Sequence, residues 1–407
     1  MPRKVVITSV GVFSSLGHTL GEIVDNMKHG RVVFERPHFD NSIVSSPIRD
    51  FNIRNILGPF KERRYLNRGA QFCVASAMET IINVGINEKL LANTGLFVGV
   101  GPNLDISGEF PEIRNGDIDR SDLFALWILK FLPNTAASAI AKLVGIHGEN
   151  FTVTTACSAS LQAIGEAFRK IKDGYLDMAL AGGGDSRLSR GGILAYKKAN
   201  ALYTGNGDPE KASRPFDCDR KGFVTGEGGA FFLLEEKECA ERRGSKIFGE
   251  VCGFGSSLDA YAMTDPDPDG KCGEVAVCNA LSEAGMSPRQ IDVVSAHGTG
   301  TLLNDVMESN LISRIFGKDG PPVVALKSWI GHASAACGAL ELALCLACMH
   351  DNYIPAVRNL ENPIHPTVNF VRNGKHSSYD TVMLENFGFG GQNSVLIVKK
   401  MGEYSAA

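Results

Sequence analysis

The chain has 407 residues, which is more than one ordinary hydrophobic core supports, so we expect two packed halves or one large α/β domain. Hydrophobic residues make up 44% of the chain and charged residues 21%, a composition typical of a globular enzyme that argues against a disordered or fibrous protein. The 41 basic and 45 acidic residues give a formal net charge of -4, which disfavours nucleic acid or an anionic membrane surface as the main partner.

Strand-like and helix-like segments alternate along the chain. The β-branched run "KVVITSVGV" near the start predicts a buried strand, and "TLGEIVDNMKHG" predicts a helix that ends at glycine. Further strands are predicted at "LFVGVGP", "FTVTTACS", "DMALAGGGD", "AFFLLEE", "IFGEVCGFG", "DVVSAHGTG", "PVVALKS" and "VMLENFGFGGQNSVLIVKK". Helical stretches separate many of them, so we expect α/β layers with buried sheets. A second, similar series starts near Ile247 and divides the chain into halves 1–250 and 251–407.

A single thiol lies among small residues in "TTACSAS", and the helical pattern of "SASLQAIGEAFRKIKDG" follows it. Cys157 is therefore expected at a strand-to-helix junction, where the positive end of the helix dipole and free backbone amides favour the thiolate. Its small neighbours leave room for an acyl group at the sulfur. From these residues alone, a buried structural cysteine is the alternative, because cysteine is among the most buried residue types.

Two histidines follow strand-like runs in the second half. His297 lies in "SAHGTGT", where two glycines expose it to a cleft and Thr299 and Thr301 offer hydroxyls to a polar ligand. His332 lies in "ALKSWIGHASAACGALELA", in the turn between a predicted strand and a predicted helix. A structural histidine and backbone-capping threonines are the alternatives.

Lys327 precedes His332 between apolar residues. If this lysine is buried it needs an anionic partner, and Glu341 in the following helix is the candidate, whereas an exposed lysine is the alternative. Cys345 and Cys348 of the same helix form a CxxC, but no second ligand pair follows, so we predict a buried helix and no metal site.

The segment "NFGFGGQN" joins two strand-like runs near the end of the chain. Its three glycines predict a loop able to move, and its phenylalanines could open or shut a cavity.

The motifs "TACSAS", "AHGTGT" followed by "ND" and Glu308, "KSWIGH" and "NFGFGG" together resemble the β-ketoacyl-[acyl-carrier-protein] synthases, the condensing enzymes of fatty acid and type II polyketide synthesis. The similarity extends to "SRPFDCDRKGFVTGEGGAFFLLEE" and to the opening "KVVITSVGVFSSLG", so it spans nearly the whole chain. It implies the thiolase fold, in which two βαβαβ-type halves form a five-layered α-β-α-β-α core. It also implies an acyltransferase of EC class 2.3.1 that acts as a dimer.

The resemblance implies a role for each motif. Cys157 would carry the acyl chain as a thioester, and His297 and His332, both neutral, would stabilise the enolate formed by malonyl decarboxylation. Lys327, paired with Glu341, would set the electrostatics around His332. The backbone amides of Cys157 and Phe389 would bind the acyl oxyanion, with Phe389, flanked by Gly388 and Gly390, as the gate.

Substrate and partner contacts are implied in the same way. Thr299 and Thr301 match contacts to the phosphopantetheine arm of the acyl carrier protein, and Phe223 matches a residue near the malonyl group. Three arginines in "FKERRYLNRGAQF" fall in the region that meets the acidic carrier: Arg63, Arg64 and Arg68. No bound cofactor and no metal are implied. The pocket floor is expected around "SDLFALWILKFLP", partly across the dimer interface.

Several positions of this chain differ from the residues usual in the family, and these differences bear on the biosynthetic pathway in which it acts. Ile330 replaces a usual Thr, Ser334 and Cys337 replace a usual Gly and Ala, and Gln392 replaces a frequent Thr. We therefore expect a specialised type II polyketide or polyene ketosynthase, either a homodimer or paired with a chain-length-factor homologue. A housekeeping fatty acid elongation enzyme is the alternative. A cysteine hydrolase is disfavoured, since it needs one His with an orienting Asn or Asp, and a non-catalytic scaffold is the third reading.

Location is predicted from the chain's start and its cysteines. The opening "MPRKVVITSVGVFSSLG" lacks a secretory signal pattern and the ten cysteines are scattered, so we expect reduced thiols in a cytoplasmic protein. No charge-free apolar run of about 18 residues occurs, so no membrane span is expected.

Overall fold

The computed structural model of the protein describes residues 3–86, 88–104 and 125–401. The strands are β1 Val5–Phe13, β2 Ser45–Ser46, β3 Gly95–Gly99, β4 Asn150–Val153, β5 Met178–Ser186, β6 Thr225–Glu236, β7 Gly249–Leu258, β8 Val293–Ser295, β9 Val323–Val324, β10 Tyr353–Ile354, β11 Lys375–His376, β12 Thr381–Gly388 and β13 Gln392–Lys400. The helices are α1 Leu20–Lys28, α2 Arg54–Leu57, α3 Arg68–Ile82, α4 Glu88–Ala92, α5 Thr135–Val144, α6 Ala159–Lys172, α7 Arg190–Lys198, α8 Lys237–Arg242, α9 Lys271–Ala284, α10 Leu302–Phe316, α11 Lys327–Ile330 and α12 Cys337–His350.

Ten of these strands form two groups with the same internal order. The first group runs β4-β3-β5-β6-β1 and the second runs β9-β8-β12-β13-β7. In each group the strand that comes last in the sequence, β6 or β13, is antiparallel to both of its neighbours. The three outer strands, β4-β3-β5 or β9-β8-β12, pair in parallel. The groups join where the start of β1 pairs with the start of β7. This repeated topology confirms the predicted thiolase-type α/β fold with two similar halves.

Helices α6 and α12 pack between the two groups of strands, whereas α3 covers the outer face of the first group and α9 that of the second. Every residue of α12 from Cys337 to Met349 is buried, as expected for a helix that is apolar on all sides. Cys345 and Cys348 are therefore core residues, in agreement with the prediction of a buried helix.

The start of α6 lies directly against β3. A Cβ atom on Gly99, the last residue of β3, would lie 2.4 Å from the backbone of Ser160, so only glycine permits this approach. The approach brings the N-terminus of α6 to the carboxyl ends of the parallel strands, the usual position of a binding site in α/β sheets.

Within the described part of the chain, no helix combines the length and the apolar character that crossing a membrane requires.

Candidate active site

Cys157 lies in a short 3₁₀ turn, Ala156–Ser158, between β4 and α6, as the sequence predicts. Its side chain is 8% exposed and lines a cavity of about 540 Å³. The Ser158 hydroxyl lies 2.6 Å from the carbonyl oxygen of Gln392 and 3.2 Å from that of Asn386. These contacts fix the turn to the β12–β13 hairpin, which carries the glycine-rich loop.

The structure brings His297 and His332 to Cys157. The sulfur and one ring nitrogen of each histidine lie within 4.8 Å of one another, and all three side chains are buried. His297 follows β8, and His332 precedes α12, so three separate segments meet at one point. The thiol and two imidazoles can therefore act on the same small group.

Hydrogen bonds fix the position of the proton on each imidazole ring. Nδ1 of His297 lies 3.1 Å from the ammonium of Lys327, and Nδ1 of His332 accepts the backbone N–H of Ser334 at 2.9 Å. A ring nitrogen that accepts a hydrogen bond carries no proton, so the proton of each neutral ring lies on Nε2. Each ring thus has one N–H donor free for a ligand.

Both rings are neutral near pH 7. Burial, followed by the charge of Lys327, holds the pKa of His297 well below its usual range. The same two causes lower the pKa of His332 to about 3. The neutral state that oxyanion stabilisation requires is therefore built into the site.

Lys327 is 1% exposed, so the alternative of an exposed lysine is wrong. Its ammonium donates to Glu341 Oε1 at 2.6 Å and to the carbonyl oxygen of His297 at 2.7 Å, besides its contact with the His297 ring. We expected Lys327 to act beside His332. Besides Glu341, its hydrogen bonds go to His297, whereas its charge acts on His332 by lowering the pKa of that ring.

The protonation of Cys157 differs from the prediction. Burial raises the pKa of this thiol to about 11, although the Lys327 charge and the backbone amide of Phe389 act in the opposite direction. Desolvation outweighs these two effects here, so the resting group is the thiol rather than the thiolate. The dipole of α6 and the charge of Lys327 stabilise the negative charge that develops on the Cys157 sulfur during a reaction.

The glycine-rich loop contacts the nucleophile through its backbone. The backbone N–H of Phe389 acts to lower the pKa of the Cys157 thiol, and a Cβ on Gly388 would lie 3.1 Å from the Cys157 nitrogen. Gly390 has φ +83°, a conformation that favours glycine. The Phe389 ring is 37% exposed and lines the cavity, so it lies where a gate would.

The predicted substrate contacts line the same cavity. Thr299 and Thr301 have their hydroxyl oxygens 2.9 Å apart, and the backbone N–H of Thr299 donates to Asp305. The Phe223 ring lies 4.7 Å from the His332 ring, centroid to centroid.

Sequence reasoning missed several polar residues near the site. Tyr196 of α7 lines the cavity although no motif marks it. Asp185 and Arg187 form a buried ion pair of 2.8 Å, and Asp185 also accepts the backbone N–H of Ala335. Glu385, beside the glycine-rich loop, is fully buried against Glu308. Local sequence around these residues gives no signal, since their roles depend on neighbours far along the chain.

The structure bears on two further expectations, the carrier-docking arginines and the pocket floor. Arg68 donates to both oxygens of the buried Glu227 at 2.6 Å while its side chain stays 43% exposed, and Arg64 is exposed as well, so the docking role of these arginines stays a prediction. Of the expected pocket floor, residues 121–124 lie outside the described residues. Residues 129–133 line a small separate cavity near Asp185 rather than the cavity at Cys157.

Comparison with known proteins gives matches along nearly the whole chain. Residues 2–240 match the model "Beta-ketoacyl synthase, N-terminal domain", and residues 248–361 match "Beta-ketoacyl synthase, C-terminal domain". A 3-oxoacyl-[acyl-carrier-protein] synthase 2 of Vibrio cholerae is 34% identical, with 98% of this chain and 99% of that protein covered. A crystal structure of a β-ketoacyl synthase from Burkholderia phymatum superposes with a TM-score of 0.90 at 30% identity, covering 99% of this chain and 100% of that one. The ishigamide ketosynthase/chain length factor gives 0.89 at 30% identity with the same coverage.

Proposed function

The chain belongs to the β-ketoacyl synthase family and is a condensing acyltransferase, and from this premise we propose that it extends an acyl chain held on Cys157 in a specialised type II polyketide or polyene pathway. The observation that carries the condensing activity is the group formed by the Cys157 sulfur and two imidazoles within 4.8 Å, each imidazole with its proton on Nε2.

The first step is transfer of the acyl group to Cys157. The sulfur attacks the thioester carbonyl of an acyl-carrier protein, and the thiol proton leaves with the phosphopantetheine sulfur. The backbone amides of Cys157 and Phe389 stabilise the oxyanion, and the Phe389 amide already favours negative charge on the sulfur.

The second step is condensation with malonyl-carrier protein. Loss of carbon dioxide leaves the bond electrons as an enolate, whose oxygen accepts the Nε2 protons of His297 and His332 as hydrogen bonds. The enolate carbon attacks the acyl carbonyl, and Cys157 departs as a thiolate that takes up one proton. Each preorganised donor typically contributes about 3 to 4 kcal/mol to such a step. Phe223 and the two threonines contact the malonyl group and the phosphopantetheine arm in this scheme.

A specialised pathway is supported by residues around the site rather than by the reacting groups. Ser334, Cys337 and Ile330 all lie within five residues of His332 and depart from the family pattern. Similarity to the ishigamide ketosynthase/chain length factor is consistent with such a pathway. The second candidate is housekeeping fatty acid elongation, which is favoured by the 34% identity to the Vibrio cholerae enzyme.

We infer that the protein assembles through β4, in either a homodimer or a heterodimer with a chain-length-factor homologue. Among the described strands, β4 pairs with β3 alone, and its Phe151 is 46% exposed. An edge strand of this kind is a template for pairing with a second chain. Within each chain we retain 1–250 and 251–407 as the two halves, and Arg63, Arg64 and Arg68 as candidate contacts to the carrier protein.

The test is intact-protein mass spectrometry of the purified chain, given acyl-carrier proteins of graded length and then malonyl-carrier protein. We expect an acyl mass on Cys157 followed by one condensation, with Cys157→Ala as the control that gains no mass. Preference for long saturated chains would favour fatty acid elongation, and activity only after a homologous partner is added would favour the heterodimer. An intact chain that never becomes acylated under any of these conditions contradicts the proposal.

A further inference from the structure

Two polar side chains hold the turn that follows His332. The Tyr196 hydroxyl, from α7, lies 2.8 Å from the Ser334 hydroxyl. Both residues are absent from the proposed chemistry, and they are 138 positions apart in the chain. The contact therefore joins α7 to the N-terminal turn of α12.

Ser334 has an unusual backbone conformation. Its φ is +51°, in the left-handed region that side chains other than Gly, Asn and Asp rarely adopt, so the surroundings must maintain it. In this conformation its N–H donates to Nδ1 of His332 at 2.9 Å. That hydrogen bond keeps the ring proton on Nε2.

The turn at the start of α6 is built in a similar way, with a residue of positive φ and a serine hydroxyl that holds the turn in place. Ala156 has φ +48°, and the Ser158 hydroxyl ties that turn to the β12–β13 hairpin. Each half of the molecule thus places a strained turn before a central helix and ties it down with one serine hydroxyl.

The Tyr196 ring supports the same imidazole from a second side. It packs edge-on against Phe223, with ring centroids 5.1 Å apart, and Phe223 packs against His332. Burial raises the pKa of the Tyr196 hydroxyl, so this group stays protonated and able to hydrogen-bond. Cys337 Sγ also lies 3.4 Å from Nδ1 of His332, but a thiol is a weak donor and does not replace the backbone N–H.

We propose that Tyr196 is a positioning residue for decarboxylation, which holds Ser334 in the left-handed conformation and thereby keeps the His332 proton on Nε2. The inference rests on the proposed function of His332 as an enolate donor. Tyr196 does not itself touch the reacting atoms in this scheme. Since Asp185 also anchors this turn through the N–H of Ala335, at 3.2 Å, removal of the tyrosine hydroxyl should weaken the arrangement rather than abolish it.

The kinetic test compares Tyr196→Phe, Ser334→Ala and Ser334→Gly. Loss of one hydrogen bond predicts a fall of about three- to tenfold in carbon dioxide release from malonyl-carrier protein for Tyr196→Phe and Ser334→Ala. Acylation of Cys157, measured by mass spectrometry, should stay within about twofold because it does not use His332. Ser334→Gly should retain more decarboxylation than Ser334→Ala, since glycine adopts positive φ without strain, and Tyr196→Phe should add no further loss in the Ser334→Gly background.

A spectroscopic readout separates this inference from the function itself. Nitrogen-15 NMR of histidine-labelled protein, with His332→Gln for assignment, reports which ring nitrogen carries the proton. We expect only the Nε2-protonated form in the wild type and a mixture in Tyr196→Phe. An unchanged His332 spectrum, equal losses of acylation and decarboxylation, or a loss confined to KM for malonyl-carrier protein overturns the positioning role. A wild type that neither loads nor decarboxylates refutes the function, while the spectrum still decides the role of Tyr196.

Discussion

Replacing Lys327 by Met tests how the site fixes the His297 proton. The ammonium approaches His297 Nδ1 at 3.1 Å and donates to Glu341 Oε1 at 2.6 Å. Without it, Nδ1 is free to take the ring proton, which leaves Nε2 as an acceptor with nothing to donate to an enolate oxygen. The substitution thus removes one of two donors without touching the histidine.

The expected magnitude follows from that lost donor. One preorganised oxyanion donor is worth about 2.7 to 4 kcal/mol, which at 1.36 kcal/mol per decade corresponds to a loss of about 100- to 1000-fold in decarboxylation. The single substitution also leaves Glu341 buried without its partner, and breaking a buried ion pair costs about 3 to 5 kcal/mol of folding stability. Loss of activity by the single variant alone is therefore ambiguous.

The double variant Lys327→Met/Glu341→Gln resolves the ambiguity. It removes both charges, and the amide oxygen of the substituted side chain can still accept the hydrogen bond that Asn386 gives to Glu341 at 2.7 Å. We expect its Tm to recover most of the loss while decarboxylation, followed as carbon dioxide release, remains about 100-fold or more below wild type. Recovery of decarboxylation to within about fivefold of wild type would refute the tautomer argument and assign the single variant's defect to folding.

Three further predictions follow from the protonation and burial of site residues. Alkylation of Cys157 by iodoacetamide should accelerate about tenfold per pH unit between pH 7 and 9, because its pKa is raised to about 11; a plateau above pH 7 would indicate a resting thiolate. Decarboxylation should stay constant from pH 8 down to about pH 5, since the pKa of His332 is lowered to about 3, and a fall centred near pH 6.5 would contradict this. The buried pair of Glu308 and Glu385 has raised pKa values, about 8 for Glu308, so the pair binds more protons in the folded state than in the unfolded chain and its contribution to stability falls as pH rises from about 5 to 8. The Tm of Glu385→Gln should therefore increase relative to wild type with pH over this window, as measured by thermal denaturation, and a constant difference would count against the raised pKa values of this pair.

The fold was largely predictable from local patterns. The apolar run at β1 and the helical spacing before Gly174 identify buried elements because side-chain period and burial are local properties. The strand predicted over "PVVALKS" is only partly confirmed, since the pairing of β9 with β8 ends at Val324 and helix α11 begins at Lys327. The common strand order of the two halves could not be read from sequence, because pairing joins residues far apart in the chain.

The sequence by itself identified the thiol, the two imidazoles and the glycine-rich loop of the site. Short strand-to-loop motifs that can be recognised locally contain the main site residues, which are Cys157, His297, His332 and Phe389. Only the tertiary structure decided their protonation and partners: that Lys327 bonds His297, that the resting thiol is protonated, and that Tyr196 holds Ser334. The physical reason is that pKa and tautomer depend on desolvation and on hydrogen-bond donors from distant segments, and neither quantity is encoded in neighbouring residues.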